Sequence, residues 1–97
     1  MVESIESVFA SMKELEKQLK ALANARRLAM LKLLRSRTSA SVGEVARSIK
    51  LSFKATSKHL RILYLADLIE KQQINTTVHY RLGNRPTPGI QKIIATL

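Results

Sequence analysis

The apolar residues of this chain hold a helical spacing as far as Leu65 and switch to alternation after Asp67. A period of 3.6 and a period of two cannot serve one element, so the fold is restricted to a helical body followed by a small β-hairpin. Before the switch, Ile5, Val8, Met12, Leu15, Leu19 and Leu22 recur in steps of three and four, with Phe9 beside them. A seam this narrow suits packing of one helix against another. It serves either the domain's own core or a second copy of the chain, and its length of about five turns favours the second copy.

Asn24 is the residue type that caps a helix, and the spacing predicts one over 25–35, with Leu28, Leu31 and Leu34 inward and Met30 at the edge. A polar connection follows. Ser41 and Glu44 then have capping-box spacing, opening a short helix that buries Val42, Val45 and Ile49. Ser52 caps a fourth helix running to about Leu65, with Thr56, Leu60 and Leu63 inward. Beyond Asp67, residues 68–74 and 77–82 read as strands joined at Asn75-Thr76, since Asn tolerates the positive φ of a tight hairpin tip. Val78, Tyr80 and Leu82 alternate with Thr77, His79 and Arg81, giving one packed face and one wet face. Pro86 and Pro88 break the chain, and a short apolar helix over 89–97 closes it. The expected fold is mainly α with a small β-hairpin, in the order helix, helix, helix, helix, strand, strand, helix, forming one domain over 1–97.

Charge separates the functional classes. Seventeen Lys and Arg against seven Asp and Glu give +10, and four of the acids (Glu3, Glu6, Glu14, Glu16) lie in the first sixteen residues. From Lys17 to Ala66 there are twelve basic residues and one acid, Glu44. A segregated positive field concentrates polyanions, so nucleic acid competes with an anionic membrane surface and with a merely solvated basic face. The chain has no Cys, which removes disulfides, thiolate metal sites and thiol redox chemistry. No apolar run approaches the roughly 20 residues of a membrane span, and the acidic N-terminus is unlike a secretory signal, so a cytoplasmic location is expected. There is no Gly-rich phosphate loop and no carboxylate pair in an apolar setting, and catalysis is not expected.

The helices over about 41–65 have helix-turn-helix proportions, joined at Lys50-Leu51. In that motif the second helix enters the major groove and its first residues reach base edges. Ser52, Phe53, Lys54, Ala55, Ser57, Lys58, His59 and Arg61 are the candidate DNA contacts on it, and Lys71 and Arg81 the candidates on the wing over about 68–82. Each has a plainer reading. Lys54, Lys58 and Arg61 also fit a solvated helical face, Phe53 a local staple, and Arg26 and Arg27 ties between helices. His59 fits a hydrogen-bonded structural role or a contact to the DNA backbone, and His79 an exposed contact to solvent or phosphate.

The segments LKALANARRLAMLKLL, SVGEVARSIKLSFKATSKHLRILYLADLIEK and VHYRL together resemble the ArsR-type winged helix-turn-helix regulators. The likeness spans roughly residues 19–82, and Leu51 to Leu63 followed by Leu68-Ile69 is its most specific part. Ala25 stands where a helix-opening Pro is usual, and Asn75 where the wing often turns on Gly. The resemblance implies a homodimer held by helices over about 4–21 and 89–97, through Ile5, Val8, Met12, Leu15, Leu19, Ile90, Ile93 and Ile94. It implies a repressor binding an inverted-repeat operator on double-stranded DNA. A low-specificity architectural DNA- or RNA-binding protein and a protein-binding adaptor are the alternatives. Metal-sensing members carry Cys-x-Cys where this chain has Ser41 and Gly43, and others place Asp, His and Glu on the last helix, which here offers Gln91, Lys92 and Thr96. No metal and no cofactor is therefore expected, and no small-molecule effector is specified.

Overall fold

The computed structural model describes residues 3–97. Among these residues, five helices and three strands follow one another as α1 (Ile5–Leu22), α2 (Ala25–Arg35), β1 (Ala40–Ser41), α3 (Val42–Ile49), α4 (Phe53–Leu65), β2 (Ile69–Ile74), β3 (Thr77–Leu82) and α5 (Pro88–Ala95). The strands form one antiparallel sheet in the order β1-β3-β2. Among the described residues, no helix is long and apolar enough to cross a membrane.

Side chains at the helix starts explain why the elements begin where they do. A helix leaves its first amides without partners. Asn24 accepts from the Arg27 amide at 3.1 Å, and Ser52 from the Ala55 amide at 3.1 Å. Ser41 accepts from the Glu44 amide at 3.2 Å while the Glu44 carboxylate accepts from the Ser41 amide at 3.0 Å, completing the capping box. α3 ends at Lys50, whose left-handed backbone (φ 56°) turns the chain so that α4 starts three residues later. Asn75 holds φ 57° at the hairpin tip, as its residue type allows.

The core lies where α2, α3, α4, the base of the hairpin and α5 converge, on Leu31, Leu34, Val45, Leu60, Leu63, Leu68 and Ile90. Several details differ from the sequence reading. Met30 is fully buried rather than at an edge, while Val42 and Ile49 are only half-buried against the core. Pro88 is the first residue of α5 rather than a breaker before it, a position where the missing amide proton costs nothing. The connection after α2 contains β1, which pairs Ala40 with Tyr80 and Ser41 with His79. The packed-and-wet alternation on β3 is correspondingly incomplete, with Val78 exposed and His79 half-buried.

Thr56 points inward as expected, is fully buried, and its hydroxyl has no hydrogen-bond partner among the described residues. An unpaired buried hydroxyl costs stability, and removing it without changing shape removes that cost. Thr56→Val is expected to stabilise the fold by about 1 kcal/mol. A raised urea midpoint at unchanged slope is the result to look for, and an unchanged or lowered midpoint would refute it.

Candidate nucleic-acid interface

The short connection between α3 and α4 sets α4 on the outside of the domain, with Thr56, Leu60 and Leu63 anchored in the core. This leaves a face on which Lys54, Lys58 and Arg61, spaced by four and three residues, form one exposed stripe. α4 contains no acid, and none of the three cations takes part in an ion pair among the described residues. Some other surface cations are held by nearby carboxylates. Arg37 pairs with Glu44 at 3.6 Å, Arg85 with Asp67 at 3.8 Å, and Lys13 and Lys20 with Glu16 at 3.7 and 3.9 Å. Exposed cations without an ion-pair partner among the described residues also occur elsewhere, Lys32, Arg47 and Lys50 among them, but the three on α4 share one face of the helix.

Ser52 spends its hydroxyl on the cap of α4. Phe53 begins the helix and is 63% exposed, so it does not staple the core. Ala55 and Ser57 are half-buried at the margin of the stripe. His59 is half-buried, with Nδ1 3.3 Å from a guanidinium nitrogen of Arg27. Burial first, then the charges of Arg27, Arg26 and Lys58, push its pKa below the ordinary 6.5, so the ring adds no charge at neutral pH. Arg27 ties helices together as the sequence suggested. Arg26 is exposed and close enough to act on His59, so it extends the positive surface onto the first turn of α2.

The two wing cations lie on opposite faces of the hairpin. Lys71 pairs across the ladder with Tyr80, and its ammonium stands 4.4 Å from the Tyr64 ring centroid on α4. Arg81 pairs with Glu70, which holds it in an ion pair at 3.2 Å. Both charges are engaged within the protomer. His79 does not stand on an open wet face but lies beside β1 and the start of α3.

The expected interface between copies is modified in one respect. Ile5, Val8, Met12 and Leu19 are exposed along α1, and Ile93 along α5, while Leu15 rests partly on the core. Ile90 and Ile94, assigned to that interface from the sequence, are instead enclosed by their own protomer, Ile90 being 2% exposed. α5 has one apolar side inward, and those two residues occupy it.

The capping box holds α3, and with it the turn into α4. Hydrogen bonds from the Ser41 amide and hydroxyl, together with Arg37, keep the Glu44 carboxyl below its ordinary 4.5. A depressed carboxylate contributes stability that is present above the unfolded value and is lost as pH falls through the folded one. The stability difference between the parent and Glu44→Gln is therefore expected to be full above pH 4.5 and to shrink below it. Urea unfolding at pH 6 and pH 3 checks this, and a difference that grows in acid would contradict it.

The chain is similar to known regulators in sequence and in fold. The family model described as bacterial regulatory protein, arsR family, matches residues 24–71, which run from the cap of α2 into β2. The HTH-type transcriptional regulator YgaV of Escherichia coli is 34% identical over 88 residues, 91% of this chain and 86% of the regulator. The structure of HlyU from Vibrio cholerae superposes with a TM-score of 0.76 at 31% identity, covering 89% of each chain. The homodimeric winged helix-turn-helix DNA-binding domain Mb0332 of Mycobacterium bovis superposes at 0.82 with 25% identity, over 99% of this chain and 85% of that one.

Proposed function

The chain belongs to the arsR family of bacterial regulatory proteins, and from that premise we propose that it is a homodimeric repressor binding an inverted-repeat operator. Its family and winged helix-turn-helix fold are those of DNA-binding transcriptional regulators, not of enzymes. The observation that carries the finer reading is the stripe of Lys54, Lys58 and Arg61, exposed and without ion-pair partners on the second helix of the motif. In this reading α4 lies in the major groove, its cations hold phosphates, and Phe53, Ala55 and Ser57 meet base edges. The exposed seam of α1, joined by Ile93 of α5, meets the same seam of a second copy. The two-fold axis sets the half-sites about one helical turn apart, and an occupied operator blocks the promoter.

Selection of bound sequences from a random duplex pool tests this. The expected product is an inverted repeat bound at least about a thousandfold more tightly than unrelated duplex at the same salt. Binding without sequence enrichment would support an architectural role, and absence of duplex binding would favour a protein-binding adaptor. Either outcome overturns the repressor reading.

A further inference from the structure

The last carbonyls of a helix have no partners within it and must find them elsewhere. At the end of α1, the Leu19 carbonyl accepts from the Ala23 amide at 3.0 Å and the Leu22 carbonyl from the Asn24 amide at 2.7 Å. The two carbonyls between them are taken by one side chain. Arg27 donates from Nε to the Ala21 oxygen at 2.6 Å and from Nη2 to the Lys20 oxygen at 3.2 Å. Its remaining terminal nitrogen, Nη1, lies 3.3 Å from Nδ1 of His59. A single half-buried guanidinium, rooted in α2, thus joins the end of α1 to the middle of α4. A planar fork with five donors suits this three-way contact, and an ammonium does not.

We propose that Arg27 and His59 form a strut that fixes the angle between α1 and α4, and that through it the pair sets the half-site spacing a dimer accepts. The inference rests on the reading of α1 as the dimerisation helix and α4 as the recognition helix. α4 has thirteen residues and is about 20 Å long, so a tilt of ~10° displaces its far end by about 3.4 Å, one base-pair step. An error this small shifts the register of bases under the helix. Arg27 and His59 are positioning residues in this account.

The contact also specifies the chemistry of the ring. A guanidinium can only donate, so Nδ1 must be the unprotonated acceptor and the ring proton must sit on Nε2. Protonating the ring would remove that acceptor and set two cations together. The charged groups acting on it are Arg27 and Arg26 of α2 and Lys58 of α4, all positive, and the end of α1 offers carbonyl oxygens to Arg27 with the cations Lys17 and Lys20 lining the same hollow. The strut is therefore intact at neutral pH and opens in acid, as the ring protonates below its ordinary 6.5.

Three variants of the full chain test it, each compared with the parent on the selected duplex and on the same duplex with one base pair added to or removed from the spacer. His59→Asn keeps an oxygen acceptor near the Nδ1 position and does not titrate. It is expected to bind within roughly threefold of the parent and to lose the weakening that the parent shows as pH falls from neutral into acid. His59→Phe and Arg27→Lys are expected to lose about tenfold in affinity for the parental spacing and to accept altered spacers the parent rejects. Dimerisation and binding to unrelated duplex should be unchanged in both. His59→Phe retains both carbonyl bonds of Arg27, so it remains informative if Arg27→Lys folds poorly. Nitrogen chemical shifts of the ring, measured without DNA, should report the Nε2–H tautomer. Parental spacer preference in His59→Phe, or a proton on Nδ1, would overturn the strut. If no duplex is preferred at all, the repressor reading fails on its own, and residual dipolar couplings then decide. An α1–α4 angle in His59→Phe equal to the parent's would overturn the strut there too.

Discussion

Met12→Asp combined with Leu19→Asp is expected to give a folded monomer that binds the selected duplex at least about a hundredfold more weakly than the parent. The choice of positions follows from burial. Met12 and Leu19 are 51% and 46% exposed, so the protomer gives up little core when they change. Leu15, one turn away on the same seam, rests on the core, and an aspartate there would damage the protomer itself. An apolar stripe running from Ile5 through Val8 and Met12 to Leu19 is unusual on a lone small domain unless something covers it. Burying aspartates against the same stripe of a second copy costs several kcal/mol for each charge, enough to separate the subunits. Separation leaves each α4 to find its half-site alone. The loss of linked binding at the second half-site accounts for the hundredfold or greater effect without any change in α4. Sedimentation gives the assembly state, and far-ultraviolet circular dichroism shows that helices persist. A double variant that remains a dimer would take α1 out of the interface.

The parts of this fold that were legible in the sequence are those governed by local chemistry. Asn24, Ser41 and Ser52 cap the helices they were expected to cap, because a cap depends on residues within one turn of itself. The hairpin was legible for the same reason, with Asn75 supplying the left-handed tip. What escaped depends on where elements meet. β1 is two residues long and has no pattern to read. Met30 is fully buried in the core cluster, and a helical wheel read from one helix does not show which of its edges other elements cover. Ile90 and Ile94 mark the sharpest limit, because an apolar face on a short helix reads the same whether its own protomer or a partner covers it.

The candidate site divides along the same line. The stripe on α4 follows from helical spacing alone once Ser52 is known to start the helix. The partners of Arg27 do not, since one lies thirty-two residues away and two are carbonyl oxygens, which sequence does not distinguish. The wing lies between these cases. A two-residue tip at Asn75-Thr76 fixes the ladder, so Lys71 must oppose Tyr80 and Arg81 must oppose Glu70. That register puts the two wing cations on opposite faces, and it was readable from residue numbers once the tip was assigned.

Replacing Lys54, Lys58 and Arg61 together with Ala is expected to flatten the salt dependence of DNA binding by about five units of slope, three contacts being lost at each of the dimer's two half-sites. Each phosphate neutralised by a cation releases counterions, and the logarithm of the affinity falls with the logarithm of salt by roughly 0.9 per contact. The three side chains are exposed and in no ion pair among the described residues, so their removal should leave the protomer's fold unchanged. The loss should be nearly equal on the selected duplex and on unrelated duplex, because phosphates carry no sequence. Changes at Ala55 or Ser57 should do the reverse, altering preference among sites with little effect on slope. The wing supplies the internal control. Lys71 stands over the Tyr64 ring and Arg81 is paired with Glu70, so the charge of each is already engaged. Lys71→Ala and Arg81→Ala should each change the slope by clearly less than a single substitution on α4. If the triple variant keeps the parent's slope while the wing variants lose theirs, the phosphate-binding surface lies on the hairpin and the assignment to α4 is wrong.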